Sequence, residues 1–143
     1  MTLQDTAAVK ALIESAGSLS GKVHVTLAPA PTAPATVLPM PYVIVHPAEG
    51  TDDTDRVTGP KLTTHPEFTL HVVGLTAASV QTVLPLIKAK FITAGRGIPV
   101  TVTGRRNRPP YWRAPMPLQT DRDVTPWLVY AVIELGWTSD PSA

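Results

Sequence analysis

The chain has 143 residues, 43% of them apolar and 16% charged, with a formal net charge of +1 and no cysteine. That is enough for one domain with a substantial core and too little for two ordinary ones. The charge balance argues against a protein that grips nucleic acid electrostatically, and the missing thiols exclude disulfides and thiolate metal sites.

Polar and acidic residues come early and no apolar h-region follows, so no signal peptide is read at the N-terminus. Met1–Ala16 is expected to be a helix. Thr2 and Asp5 stand at capping-box spacing, Val9, Leu12, Ile13 and Ala16 make one apolar stripe, and Gly17 is placed to close it. Gly21 then turns the chain into a short strand, Lys22–Leu27, with Val23, Val25 and Leu27 on one side and His24 and Thr26 on the other. Ala28–Pro41, APAPTAPATVLPMP, holds too much proline for a helix or a central strand and reads as an extended connector over a surface. Tyr42–His46, YVIVH, is apolar on both faces up to His46, which predicts a central strand. Pro47–Pro66 is expected to be a long loop carrying Asp52, Asp53, Asp55 and Arg56.

The rest of the chain assembles around Glu67–Ala94. Phe68, Leu70 and Val72 recur with period two, as on one face of a strand, with Thr69, His71 and Val73 on the other. Gly74 ends that run, Thr76 is the N-cap, and Val80, Val83, Leu84, Ile87 and Phe91 recur at helical spacing. Pro85 falls inside this helix and is expected to bend it. Ile98–Thr103 alternates and predicts a strand with Ile98, Val100 and Val102 inward. Gly104–Pro126 reads as a third long loop, holding Arg105, Arg106, Arg108, Tyr111, Trp112, Arg113, Asp121, Arg122 and Asp123. Trp127–Trp137, WLVYAVIELGW, is the last strand, and residues 138–143 read as a flexible polar tail. The order α-β-β-β-α-β-β predicts a single α+β domain: a mostly antiparallel sheet of four to five strands, two helices on one face, and long loops. No run approaches the roughly 18 apolar residues of a membrane span, so a soluble protein is expected.

Chemistry is hard to find. Gly17–Lys22, GSLSGK, has its glycines too close for a phosphate-binding loop, lacks the following Ser or Thr, and runs from helix to strand; it reads as a turn. His24, His46 and His71 lie on or at the ends of three strands, but exposed-face or contact histidines fit better than a metal site. Asp52, Asp53 and Asp55 fail the calcium-loop spacing. There is no Gly-x-Ser-x-Gly elbow and no placed carboxylate pair, so no enzyme, metal or cofactor is expected. RRNRPPYWR, Arg105–Arg113, mixes guanidinium groups with aromatics, as protein interfaces and nucleic-acid contacts both do, and Asp121 and Asp123 blunt the second possibility.

Several segments, in order, resemble the tail terminator proteins of long-tailed (siphovirus) phages, above all those of actinobacterial hosts. They are AAVKALI in the first helix, the Pro-Tyr-Val-x-Val strand, the Phe-x-Leu-x-Val strand running into the long helix, VTVTGR at Val100–Arg105, and LQTDRDVTPWLVYAV at Leu118–Val132 with its Asp-Arg-Asp-Val-Thr-Pro run. Pro85 and the Ala28–Pro41 connector depart from the pattern. The resemblance implies a virion protein that forms a six-membered ring with copies of itself. Such a ring docks on the finished tail tube, stops polymerisation and presents the head-joining surface. The implied partners are the chain itself, the major tail tube protein and the head–tail connector protein. Genomic DNA passes through the lumen without specific binding, and no membrane is involved. The implied location is the head-proximal end of the tail, after assembly in the host cytoplasm. On this reading Asp52, Asp53, Asp55, Arg56, Arg105, Arg106, Arg108, Tyr111, Trp112, Arg113, Asp121, Arg122 and Asp123 are the contact candidates. Arginines of one subunit would meet aspartates of the next. The rival readings are another head–tail joining or tail-completion component, and a small nucleic-acid-binding module using the arginine-aromatic loop.

Overall fold

Helix α1 (Leu3–Glu14) buries Val9 and Ile13 along one stripe, with Asp5 buried in its first turn. A computed structural model of the chain describes residues 3–35, 37–48, 52–54 and 62–142, with only the backbone described at 52–54 and 62. Gly17 follows α1 at φ +55°, and a Cβ there would lie 3.1 Å from Leu86 Cδ1. Its place depends both on left-handed backbone and on the absence of a side chain.

The strands in chain order are β1 (Val23–Val25), β2 (Tyr42–Ala48), β3 (Asp52–Thr54), β4 (Leu62–Thr64), β5 (Glu67–Gly74), β6 (Ile92–Thr93), β7 (Arg96–Gly97), β8 (Arg105–Asn107), β9 (Tyr111–Arg113), β10 (Gln119–Asp121), β11 (Leu128–Gly136) and β12 (Ser139–Pro141), with helix α2 (Ala77–Lys88) between β5 and β6. The main sheet runs β1-β2-β5-β11, and β10 and β9 both lie against β11. Every pairing in it is antiparallel except β1 with β2, which is parallel. Val43 and Val45, Phe68, Leu70 and Val72, and Ala131, Ile133 and Leu135 are the buried members of alternating runs and share one face. On that face α1 packs against β1 and β2, and α2 against β5 and β11. A second sheet, β3-β4-β12-β8, is antiparallel throughout. The α+β class and the two helices on one sheet face are as the sequence predicts.

The Thr76 cap is also found: its hydroxyl accepts from the Ser79 amide at 3.2 Å. Helix α2 buries Val80, Val83 and Ile87, with Pro85 inside it. Proline at 85 removes the amide that would have met the Gln81 carbonyl, and both residues are exposed, on the side of the helix open to solvent. The predicted helix overruns its end. After Lys88 the Lys90 and Phe91 amides donate three residues back, to Ile87 and Lys88. Phe91 is thus fully buried from a tightened last turn, outside the helix proper.

Ala94 and Gly95, both at positive φ (52° and 75°), turn β6 into β7. This is the primed hairpin turn that favours Asn-Gly, and alanine is a poor occupant of its first position. Ala94→Asn is expected to raise the free energy of unfolding by up to about 1 kcal/mol in urea titration, whereas a loss would contradict the turn.

Four further expectations need correction. Ile98–Thr103 is not a strand. Val100 and Val102 are buried but Ile98, expected inward with them, is exposed, and the segment's polar groups go to other partners: the Ile98 amide to the Phe91 carbonyl, and the Val100 carbonyl to Asn107 Nδ2 at 2.6 Å. The predicted Lys22–Leu27 strand shortens to β1, Val23–Val25, and of its three expected inward residues only Val23 is buried, while Val25 and Leu27 are exposed. The loops expected at Pro47–Pro66 and Gly104–Pro126 contain strands β3, β4, β8, β9 and β10, and Pro47 and Ala48 extend β2. Pro47 is tolerated because β1 reaches only Val43 to Val45, leaving β2 unpaired on that side there. Finally, residues 138–143 are no loose tail: Ser139–Pro141 is β12, and Ser139 is fully buried between β4 and β8.

Candidate assembly surfaces

The arginine segment becomes an edge. β9 opposes the last third of β11 and β10 opposes its first third, so Tyr111–Asp121 runs as one interrupted strand along β11. The register slips by two residues between the two pieces. The slip is taken up by Ala114–Leu118, where Pro115 and Pro117 sit on an edge that needs no further amides.

Pairing decides which side chains face out. Trp112 opposes Leu135 and is drawn to the core face, its ring 6.0 Å from that of Phe91. It is therefore half-buried in packing and not a free anchor. Tyr111 opposes Gly136 on the outer face. A Cβ at Gly136 would lie 2.7 Å from the Tyr111 hydroxyl, so the ring lies directly on that glycine. Burial, with the Glu67 and Glu134 carboxylates next, raises the Tyr111 pKa and keeps the phenol protonated. Arg113 opposes Glu134 and is ion-paired to it, with Nε 2.7 Å from Oε2.

Arg105 is also used within the chain. Its Nε donates to Ser139 Oγ at 2.9 Å, and its Nη2 to the Ser139 carbonyl at 2.6 Å and Thr64 Oγ1 at 3.1 Å, which clasps β8, β12 and β4 together. Arg108 lies 3.8 Å from Asp140. Arg106 is exposed and has no ion pair among the described residues. Arg122 stacks over Trp127 at 5.1 Å from the ring centroid, and Asp121 Oδ1 accepts the Asp123 amide at 3.0 Å in a local turn. Asp52 and Asp53 lie on β3, the outer strand of the second sheet. Asp55 and Arg56 lie outside the described residues. Glu134 and Asp140, which anchor Arg113 and Arg108, were invisible as such in the sequence: one sits in an apolar strand and the other in the expected tail.

Three features complete the surface. The face of the main sheet opposite the helices carries cross-strand rows: Arg113, Glu134, Thr69, His46; then Val132, His71, Ile44, His24; then Gln119, Tyr130, Val73, Tyr42. His46 and His71 touch, with ring centroids 4.6 Å apart, and His24 stands edge-on to Tyr42. Burial, and then His46, lowers the His71 pKa, so the His71 ring is held neutral near pH 7. Among the described residues no three His, Asp or Glu side chains come together as a metal site. Next, His65, Glu67, Arg108, Pro109, Pro110, Tyr111, Trp137 and Thr138 line an open cleft of about 560 Å³, bringing two predicted contact residues, Arg108 and Tyr111, into one depression. Pro29, Leu38 and Met40 of the predicted connector line a second depression together with Tyr42, Val124, Pro126 and Leu128. No helix among the described residues is long and apolar enough to cross a membrane.

No protein-family model and no curated protein matches the chain. Among solved structures it is similar to a chain of the "Virion of native gene transfer agent (GTA) particle", with 15% identity, a TM-score of 0.44, and coverage of 95% of this chain and 88% of that one.

Proposed function

We propose that the chain is a structural protein of a phage virion, the subunit of a ring that caps the finished tail tube, halts subunit addition and offers the head-joining surface. One observation carries the reading. The segments that resemble tail terminator proteins fall in order on one folded unit: α1, β2, β5 with α2, the strap into Arg105, and the Asp121–Pro126 turn before β11. Four of the five lie on the main sheet and its helices, and the fifth, Val100–Arg105, leads into β8 of the second sheet.

The physical features suit that role. Both helices cover one face of the main sheet, which leaves the opposite face, the sheet edges and the cleft at Tyr111 for neighbours. A net charge of +1 suits a conduit through which DNA slides without sticking. The partners on this reading are further copies of the chain, the tail tube protein below and the connector above, and shape does the work in place of catalysis. The nucleic-acid reading loses ground, because Arg105, Arg108 and Arg113 are engaged within the chain. Added during polymerisation of its own phage's tube protein, the purified chain is expected to arrest growth at substoichiometric amounts. Tube length by electron microscopy reads this, and tubes that keep lengthening overturn the proposal.

A further inference from the structure

The two outer strands of the second sheet carry opposite charge. At one edge, β3 has the sequence Asp-Asp-Thr; at the other, β8 has Arg-Arg-Asn. Neither outer side pairs with another strand among the described residues. An open strand edge presents unpaired amides and carbonyls and invites another strand, and charge on it decides which strand is accepted.

The register runs straight across. Asp53 opposes Thr63. Thr63 and Asp140, the next pair along from Thr64 and Ser139, are joined by a 2.7 Å hydrogen bond. Asp140 opposes Arg106. One cross-strand row thus begins at Asp53 and ends at Arg106, the exposed arginine with no ion pair among the described residues. Four alternating strands make an even number, so the directions of β3 and β8 are opposite. A second copy in the same orientation therefore brings its β3 to β8 antiparallel, the direction in which both strands already pair.

We propose that β8 of one subunit adds to β3 of the next, so that the second sheet continues from copy to copy and Asp53 of each neighbour lies beside Arg106. The occupant of each edge is a second copy of this chain. The contact is head-to-tail, and it closes into a ring when the rotation per copy divides the circle. Opposite charges directly across a strand pair favour it, and like charges oppose it. This inference rests on the ring reading above and names the surface that builds the ring.

A charge swap tests it on the full-length protein. Asp52→Lys with Asp53→Lys makes both edges basic, and Arg106→Glu removes the free basic charge of the other edge and replaces it with an acidic one. Each variant alone is expected to need at least about tenfold more protein to form rings, read by native mass spectrometry in solution and by counting capped tube ends. Mixed in equal amounts, the two variants restore assembly, because each edge then finds its complement in strict alternation around an even-numbered ring. Circular dichroism on each variant confirms the fold. Rings from either variant alone at the wild-type concentration overturn the inference and leave the cap reading standing. Lost assembly that the mixture does not restore overturns it as well. Wild-type protein that never forms rings, free or on tubes, defeats the cap reading itself.

Discussion

Replacing Phe68 by alanine is expected to cost about 3–5 kcal/mol of folding stability. Phe68 is on β5, the strand with β2 on one side and β11 on the other. It is 2% exposed and stacks on Trp137 with ring centroids 5.4 Å apart. Its neighbours in register are Pro47 and Leu135. Pro47 has little freedom to move, and Leu135 is itself fully buried, so little can collapse into the space the ring leaves. Domains of this kind are stable by roughly 5–15 kcal/mol, so the variant forfeits a large part of the total. Urea denaturation measures the change, and a loss below about 1 kcal/mol would mean that this strand is not the centre of the core.

Arg105→Ala is expected to cost about 2–3 kcal/mol, confined at first to the second sheet. Three hydrogen bonds from one guanidinium reach β12 and β4, and the Ser139 carbonyl among their acceptors belongs to a fully buried residue. Charge-assisted bonds are the stronger kind, and removing the donor leaves a buried acceptor without this partner. Hydrogen exchange at β4 and β12 should accelerate about 30-fold or more while β5 and β11 keep their protection. Lysine at 105 is not expected to rescue it, because an ammonium group lacks the fork that spans both strands. Equal acceleration in both sheets would refute the idea that Arg105 is a local clasp.

What the sequence revealed follows a physical divide. The β5–α2 unit was legible because burial there imposes period two and then helical period, and Thr76 marks the join. The second sheet was hidden because β3, β4, β8 and β12 are three-residue strands of mostly polar sequence. Their partners are set by contacts such as Arg105 with Ser139 and Thr64, 34 and 41 residues away. Ile98–Thr103 failed for a related reason: alternation picked out the buried Val100 and Val102, though not the exposed Ile98, and says nothing of whether the backbone has a neighbouring strand. In the arginine segment the composition pointed to contact. Only the register against β11 shows that Trp112 faces the core while Tyr111 and Arg113 face out. The acidic counterparts were equally illegible, since nothing in WLVYAVIELGW marks Glu134 as the partner of Arg113.

On the proposed function the molecule acts by fitting between copies of itself and the end of a tube. Negative-stain electron microscopy of the purified chain mixed with assembled tail tubes tests this most directly. The expected images show ring-shaped density closing one end, and one end only, of each tube. Tubes bare at both ends, with the protein left free beside them, would contradict the account.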